Sequence, residues 1–291
     1  FKLMDRNYLN RESVWLGGNA TSSMQRAGAA LRGSSLYASG TSAPESGALM
    51  SNIFPDAEVQ MVQMGDELWL VWNDDNPERD AINRTQLRHS VFENGTWSEP
   101  AWLDNDGTAD FSPALASVPN GVLVAWHDIS KEIEDEEDLR DILENSAISV
   151  TSSPFVNGGT FETVTFPNDG NIDHSPRLVA DGNNALLVWT RSEGLGFSLG
   201  EDMEDLKAPA NSDSLWFSKW NGSSWSTPLV VQSSLATVME TNLTMHGNQG
   251  LLLYTLSMSM DNDDRELFAV LFDGSSWGTP IRITNNDQDE I

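Results

Sequence analysis

Apolar residues in this chain gather into short runs that close on an aromatic ring and recur at a regular interval. The runs are Leu68-Trp69-Leu70-Val71-Trp72, Val122-Leu123-Val124-Ala125-Trp126, Ala185-Leu186-Leu187-Val188-Trp189 and Leu251-Leu252-Leu253-Tyr254. Their closing rings, Trp72, Trp126, Trp189 and Tyr254, stand 54, 63 and 65 residues apart. Each run follows a shorter segment and a turn: 59–64 before Gly65-Asp66, 113–118 before Pro119-Asn120-Gly121, 176–180 before Asp181-Gly182-Asn183-Asn184, and 241–246 before Gly247-Asn248. Asn, Asp and Gly tolerate the positive φ of tight turns, so each pair predicts a β-hairpin.

A second hairpin follows in every copy. Its strands are 85–92 and 96–103, 147–155 and 160–166, 214–220 and 223–231, and 266–272 and 275–283, joined by Asn/Gly or Asp/Gly turns. Another aromatic recurs just after each turn, at Trp97, Phe161, Trp225 and Trp277. Four strands per unit at this period predict an all-β chain, a β-propeller with four recognisable four-stranded blades at 55–112, 113–175, 176–240 and 241–291. Residues 1–53 fit the repeat poorly and read as an N-terminal segment, at most a partial blade, so five to seven blades would follow if that segment or a missing part completes the ring. The recurring aromatics read first as wedges packed between blades.

In this topology the connections between strands two and three emerge on the same face as the links between blades. They are the long ones, at 73–84, 128–146, 190–213 and 257–264, whereas the opposite face receives only tight turns. One-sided elaboration is how a rigid scaffold displays binding groups. The second insertion, 131–143, reads as a short acidic helix with Leu139, Ile142 and Leu143 on one stripe, either solvated or acting as a lid or docking arm. The third, 194–211, reads as a mobile loop.

Charge narrows the choice of partner. The 291 residues hold 44 acidic and 16 basic side chains, a formal net charge of −28. Nucleic acid and anionic membrane surfaces would be repelled, and no apolar stretch reaches the length of a membrane span. Without cysteine the chain has no disulfide, thiol chemistry or thiolate metal site. The start at Phe1-Lys2-Leu3-Met4 is not a signal sequence and suggests a processed or excised piece, part of a larger polypeptide or assembly. Asn-x-Ser/Thr triplets begin at Asn19, Asn83, Asn94, Asn221 and Asn242. The acidic surface suits an extracellular or cell-surface setting.

Candidate chemistry collects on the loop-rich face. Asp74, Asp75, Asp110, His127, Asp128, Asp173, His174 and Arg191 are the candidate ligand-binding residues. Asp110 and Asp173 each precede a Ser-Pro pair in equivalent copies and would ring the channel mouth. The link 104–110 alternates Asp and Asn around a glycine, so Asp104, Asp106 and Asp110 are candidate calcium ligands, although plain turn capping by Asx side chains explains the same pattern. Four histidines without ligand spacing argue against zinc. Acidic pairs such as Asp74 and Asp75 could serve glycoside hydrolysis, which needs two carboxyls about 5 to 10 Å apart.

The segment Ser218-Lys219-Trp220-Asn221-Gly222-Ser223-Ser224-Trp225 resembles the Asp-box, or BNR, repeat of sialidase-like propellers, Ser-x-Asp-x-Gly-x-Thr-Trp, with an aromatic in the Asp position. Residues 270–277 have the same form, with Phe272 in that position; 90–97 keep Ser90, Thr96 and Trp97 with a shifted glycine, and 154–161 are the most eroded. The resemblance covers 55–291 and is similar to degenerate copies in large exported surface proteins. It implies a fold and not an activity, because the box lies remote from the active face. Sialidase chemistry would further need an arginine cluster, an Arg-Ile-Pro-type segment, a Tyr/Glu nucleophile pair and an acid/base Asp. No Arg-Ile-Pro occurs, and Tyr254 falls in a core strand. The expected function is therefore a non-enzymatic binding or adhesion module for a glycan or surface protein. The alternatives are a sialidase-like glycoside hydrolase or lyase, and a structural spacer.

Overall fold

Each apolar run forms the second strand of a hairpin, and its neighbours follow in chain order. A computed structural model describes residues 12–16, 47–53, 57–80, 82–134, 139–193, 212–258 and 265–285. Two strands, β1 (Glu12–Leu16) and β2 (Gly47–Ile53), pair with each other antiparallel in the N-terminal segment. Blade 1 holds β3 (Val59–Met64), β4 (Glu67–Asp75), β5 (Thr85–Glu93), β6 (Thr96–Trp97) and β7 (Ala101–Trp102). Blade 2 holds β8 (Asp110–Val118), β9 (Gly121–Ile129), β10 (Ser146–Thr151) and β11 (Thr163–Thr165). Blade 3 holds β12 (Ile172–Asp181), β13 (Asn184–Ser192), β14 (Asp213–Trp220) and β15 (Leu229–Leu235). Blade 4 holds β16 (Val238–His246), β17 (Gln249–Ser257), β18 (Arg265–Phe272) and β19 (Ile281–Arg282).

Strands pair in sequence order within every blade, all antiparallel, except that β7 of blade 1 pairs with β5 beyond β6. The first strands stand side by side in the order β3, β8, β12, β16, which sets the sheets around an axis with strand one innermost. That is the propeller arrangement the repeat predicted.

The core lies between blades. In blades 2 and 3 the second strand is apolar on both faces because one face meets the preceding blade and the other the following one. Trp69, Val71, Leu87 and Val91 of blade 1 pack on Val122, Val124, Trp126 and Phe155 of blade 2. Leu123, Ala125 and Ile148 pack on Leu187, Trp189 and Trp220. Leu186, Val188 and Leu215 pack on Leu252, Tyr254 and Phe272. Trp126, Trp189 and Tyr254 are buried in these contacts, as wedges, and each such side chain stabilises the ring by roughly 1.5 to 3 kcal/mol; Trp72 is buried as well, outside the three clusters. The second set wedges similarly: Trp225 donates its indole N–H to the Thr151 carbonyl of the previous blade at 2.9 Å.

The fourth strands differ from expectation. Instead of continuous strands, three of them make one pairing at the aromatic, break, and resume or stay short: β6 and β7, the Trp220–Trp225 bridge then β15, and the Phe272–Trp277 bridge then β19. The cause is Pro100, Pro228 and Pro280, each three residues after its Trp, because proline offers no N–H to the ladder. In blade 2, β10 stops at Thr151, before Pro154, and Phe155 rejoins through a two-way backbone bridge to Val122. The hairpin serines are used alike in two blades: Ser90 Oγ donates to the Ser98 carbonyl at 2.8 Å, and Ser218 Oγ to the Ser226 carbonyl at 2.7 Å.

Long connections and links do share a face. Among the described residues of the acidic insertion, α1 (Leu139–Glu144) is helical and 131–134 are not, and the segment is tied down. Asn83 in the blade 1 connection accepts from Ile133 N at 3.0 Å and donates to Ile133 O at 2.8 Å. Ile133 is buried with Ala109 and Ile129, and Ile142 packs against them. Asn83 is itself buried, so the triplet that begins there cannot carry a glycan on the folded chain, whereas Asn94, Asn221 and Asn242 are exposed. Residues 194–211, expected to be a mobile loop, lie outside the described residues, as does the side chain of Leu139.

Candidate functional site

Two positions recur where the inner hairpin reaches the loop-rich face. One is near the start of strand one; the other is two residues after the closing aromatic. In blade 3 they are Asp173 and Arg191, directly opposite in the β12–β13 ladder. In blade 2 they are Asp110 and Asp128, directly opposite in the β8–β9 ladder. The register is the same, but an arginine in one blade is replaced by a second carboxyl in the other.

The blade 3 pair is a closed ionic unit. Arg191 donates through Nε to Asp173 Oδ1 at 2.6 Å and through Nη2 to Asp173 Oδ2 at 2.7 Å, with a further bond to Pro167 O at 2.8 Å. Its guanidinium lies 4.1 Å from the centre of the Trp216 ring. Burial pushes the Asp173 carboxyl up, and the hydrogen bonds and charge of Arg191 pull against it. Nearly every polar group here has a partner, which makes the pair a rigid part of the scaffold.

The blade 2 pair is open chemically. Asp128 accepts from Ser149 Oγ at 2.7 Å and Thr108 Oγ1 at 3.1 Å. Burial raises its carboxyl from 3.8 to about 6, with those hydroxyls opposing and Asp106 and Asp104 adding to the rise. Asp110 is 0% exposed and neither carboxyl oxygen has a hydrogen-bond partner among the described residues. Burial first, and the Asp128 carboxylate second, hold it well above the usual carboxylate range. Two carboxyls forced together cannot both ionise at low cost, so one keeps its proton. The unit is an Asp110 held well above the ordinary carboxylate range beside an Asp128 raised to about 6.

Two histidines stand beside the pair. His127, opposite Phe111 in the ladder, is held to about 3 by burial and by His174, and is neutral. His174 contacts Ser175 Oγ through Nδ1 at 2.9 Å and Ser192 Oγ through Nε2 at 3.3 Å, and burial lowers it too. Ser192 Oγ donates onward to Asp213 Oδ1 at 2.7 Å, and Asp213 Oδ2 accepts from Val238 N at 2.8 Å, which fastens blade 3 to the start of blade 4.

The remaining candidates serve structure. Asp74 and Asp75 are buried against Arg88 at 3.1 Å and Arg84 at 2.5 Å, and Arg88 lies 3.7 Å from the Trp102 ring centre. Asp106 Oδ1 accepts from Thr108 N at 2.9 Å and Thr108 Oγ1 at 2.7 Å, the turn-capping use of an Asx side chain. Asp104 accepts from Thr163 Oγ1 at 2.8 Å. Asp104, Asp106 and Asp110 therefore do not converge as calcium ligands: among the described residues no three such groups could hold a metal ion. The physical reason is that two of them are spent on turn and inter-strand bonds while the third is sealed below.

Sequence reasoning named both carboxyls of the pair and missed Thr108 and Ser149, the partners of Asp128, and Ser192 and Asp213, which continue the chain of bonds from His174. The missed signal is a spacing: Asp110 to Asp128 and Asp173 to Arg191 are both eighteen residues apart.

No family model matches the chain, and no curated protein matches it. Solved structures do. An α-L-arabinofuranosidase of Fusarium graminearum, in complex with an iminosugar inhibitor, is similar with a TM-score of 0.50 and 14% identity over 79% of this chain and 67% of that one. A Penicillium chrysogenum α-L-arabinanase complexed with arabinobiose is similar with a TM-score of 0.51 and 13% identity over 80% and 67%. A Trypanosoma rangeli sialidase in complex with sialic acid matches with a TM-score of 0.44 and 8% identity over 77% and 37%. The chain thus has a propeller fold similar to that of the arabinofuranosidase and the arabinanase. The expectation of a non-enzymatic binding or adhesion module is overturned by the first two matches, to an arabinofuranosidase and an arabinanase. It rests on the lack of a sialidase-type set of tyrosine and arginine, with Asp74 and Asp75 the acidic pair named for glycoside hydrolysis.

Proposed function

We propose that the chain is a glycoside hydrolase whose chemistry is carried by Asp110 and Asp128. The observation behind this reading is the acid–acid pair in a register where the next blade has an acid–arginine pair. Opposite residues of an antiparallel ladder have Cβ atoms about 4.5 to 5.5 Å apart, which suits the roughly 5 to 5.5 Å carboxyl separation of retaining glycosidases. Asp110, the more strongly raised, is the acid: it gives its proton to the departing glycosidic oxygen. Asp128, ionised at neutral pH, attacks the anomeric carbon as the bond to the aglycone breaks. Water then hydrolyses the glycosyl ester, losing a proton to Asp110 and releasing the sugar with retained configuration. Because both carboxyls lie beneath the 104–108 link, substrate entry requires that link to move. The turns at 90–97 and 218–225 are read as degenerate Asp-boxes, and the polysaccharide-directed role goes with an extracellular or cell-surface setting and a glycan partner.

The test is turnover on a panel of aryl α-L-arabinofuranosides, arabino-oligosaccharides and sialosides. Wild type is expected to release sugar from one class, and Asp128→Asn to lower kcat by about a hundredfold or more with unchanged circular dichroism. Absence of product across the panel, or full turnover by both Asp110→Asn and Asp128→Asn, overturns the assignment.

A further inference from the structure

From each closing aromatic a row of opposed residues crosses strand three to strand four at the rim of the disc. In blade 1 the row is Trp72, Arg88 and Trp102, in blade 3 Trp189, Trp216 and Val230, and in blade 4 Tyr254, Phe268 and Arg282. Large side chains fill these rows. Arg88 reaches Asp74 at 3.1 Å and lies over the Trp102 ring, Trp216 carries the Arg191 guanidinium on its face, and Phe268 stacks on Tyr254. Blade 2 has Trp126, Ser149 and Thr165 instead. Ser149 Oγ stands 2.7 Å from Asp128 Oδ2 and 2.7 Å from Thr165 Oγ1. Ser149 and Asp128 are buried, whereas Thr165 is exposed on the outermost strand. Two hydroxyls therefore join a sealed carboxyl to solvent.

We propose that Ser149 and Thr165 form a proton path between Asp128 and the rim of the disc. A hydroxyl can accept one proton while giving up another, so it relays a proton without changing its own composition. Inward, a hydronium ion gives its proton to Thr165 Oγ1, Thr165 passes its own hydrogen to Ser149 Oγ, and Ser149 passes its own to Asp128 Oδ2. One O–H bond forms for each that breaks, and the net change is one proton moved from hydronium to carboxylate. Rotation of the two hydroxyls restores the starting orientation, and the outward run reverses each step. Thr108 Oγ1 also touches Asp128, at Oδ1, but at 3.1 Å, and its single hydrogen has a nearer acceptor in Asp106 Oδ1 at 2.7 Å. The charged groups that face Asp128 are Asp110 on β8 and Asp104 and Asp106 in the link, and none of them stands in the Ser149–Thr165 row. The path goes beyond the hydrolase reading, since it requires only that Asp128 exchange its proton.

Infrared spectroscopy of the full chain after a pH jump tests it, following the protonated-carboxyl band that Asp128→Asn removes. Thr165→Val, at an exposed position, keeps the Ser149–Asp128 bond. The midpoint of the band's titration is therefore expected to hold while its relaxation slows by about tenfold or more, and Thr165→Ser is expected to restore the rate. Ser149→Ala, which adds no volume, is expected to slow relaxation too and to raise the midpoint, because it removes a bond to the ionised carboxyl. Relaxation of Thr165→Val at the wild-type rate overturns the path, as does a midpoint shift in that variant large enough to account for the slowing. Slowing by Thr108→Val in place of Thr165→Val also overturns it, by placing the route on the loop-rich face. No substrate enters the measurement, so a chain inactive on every glycoside leaves the result intact.

Discussion

A buried carboxyl is stabilised by what stands across the ladder from it, and the two middle blades answer that differently. Removing the partner in blade 3 by Asp173→Ala leaves Arg191 charged and buried, which is expected to cost about 3 to 5 kcal/mol in urea denaturation. Asp128→Asn acts in the opposite sense as pH rises. The folded chain holds the Asp128 proton to about pH 6, against 3.8 ordinarily, so its stabilising contribution is complete below 3.8 and is lost as pH climbs through 6. His127, held to about 3, contributes stability above 6.5 that is lost as pH falls. Relative to wild type, the Asn variant should therefore gain on the order of 3 kcal/mol between pH 4 and pH 7, read from denaturation at both values. A constant difference would mean that Asp128 titrates normally. Sequence alone could point to Asp110 and Asp128 as acidic residues on one face. It could not oppose them, because register depends on the two-residue irregularity between Phe111 and Ala114 as well as on the turn.

Hairpins were legible because their turns are chemically explicit, and outer strands were misjudged because proline acts on the ladder and not on the apolar pattern. The tightest backbone approach was also hidden. Gly121, at φ 144°, opens β9 where Phe155 bridges back to Val122, and a Cβ there would stand 2.5 Å from the Phe155 carbonyl oxygen. Gly65 occupies the equivalent first hairpin of blade 1 at φ 61° with nothing within 4 Å of such a Cβ. Gly65→Ala should cost only the left-handed backbone penalty, about 1 to 2 kcal/mol. Gly121→Ala must also displace a hydrogen-bonded carbonyl, and about 2 to 4 kcal/mol is expected. Equal losses in thermal or urea unfolding would show that the Phe155 segment yields freely.

Four blades and one elaborated face follow from the repeat period and from the two-sided apolar second strands; the half-buried state of Leu251 and Leu253 does not, since residues 251–253 of the last blade read like those of its neighbours. The charge balance acts on this whole assembly. Folding gathers a net charge of −28 onto a compact body, where mutual repulsion opposes the fold, while the buried Asp173–Arg191 bridge is shielded from counterions. Added salt should then stabilise the chain, because the screened repulsion outweighs any weakening of partly exposed pairs such as Arg84–Asp75. Raising sodium chloride from low to physiological strength is expected to lift the melting temperature by about 2 to 4 °C for each kcal/mol of repulsion relieved. A melting temperature that falls with salt would place ion pairing above self-repulsion as the dominant electrostatic term in this ring.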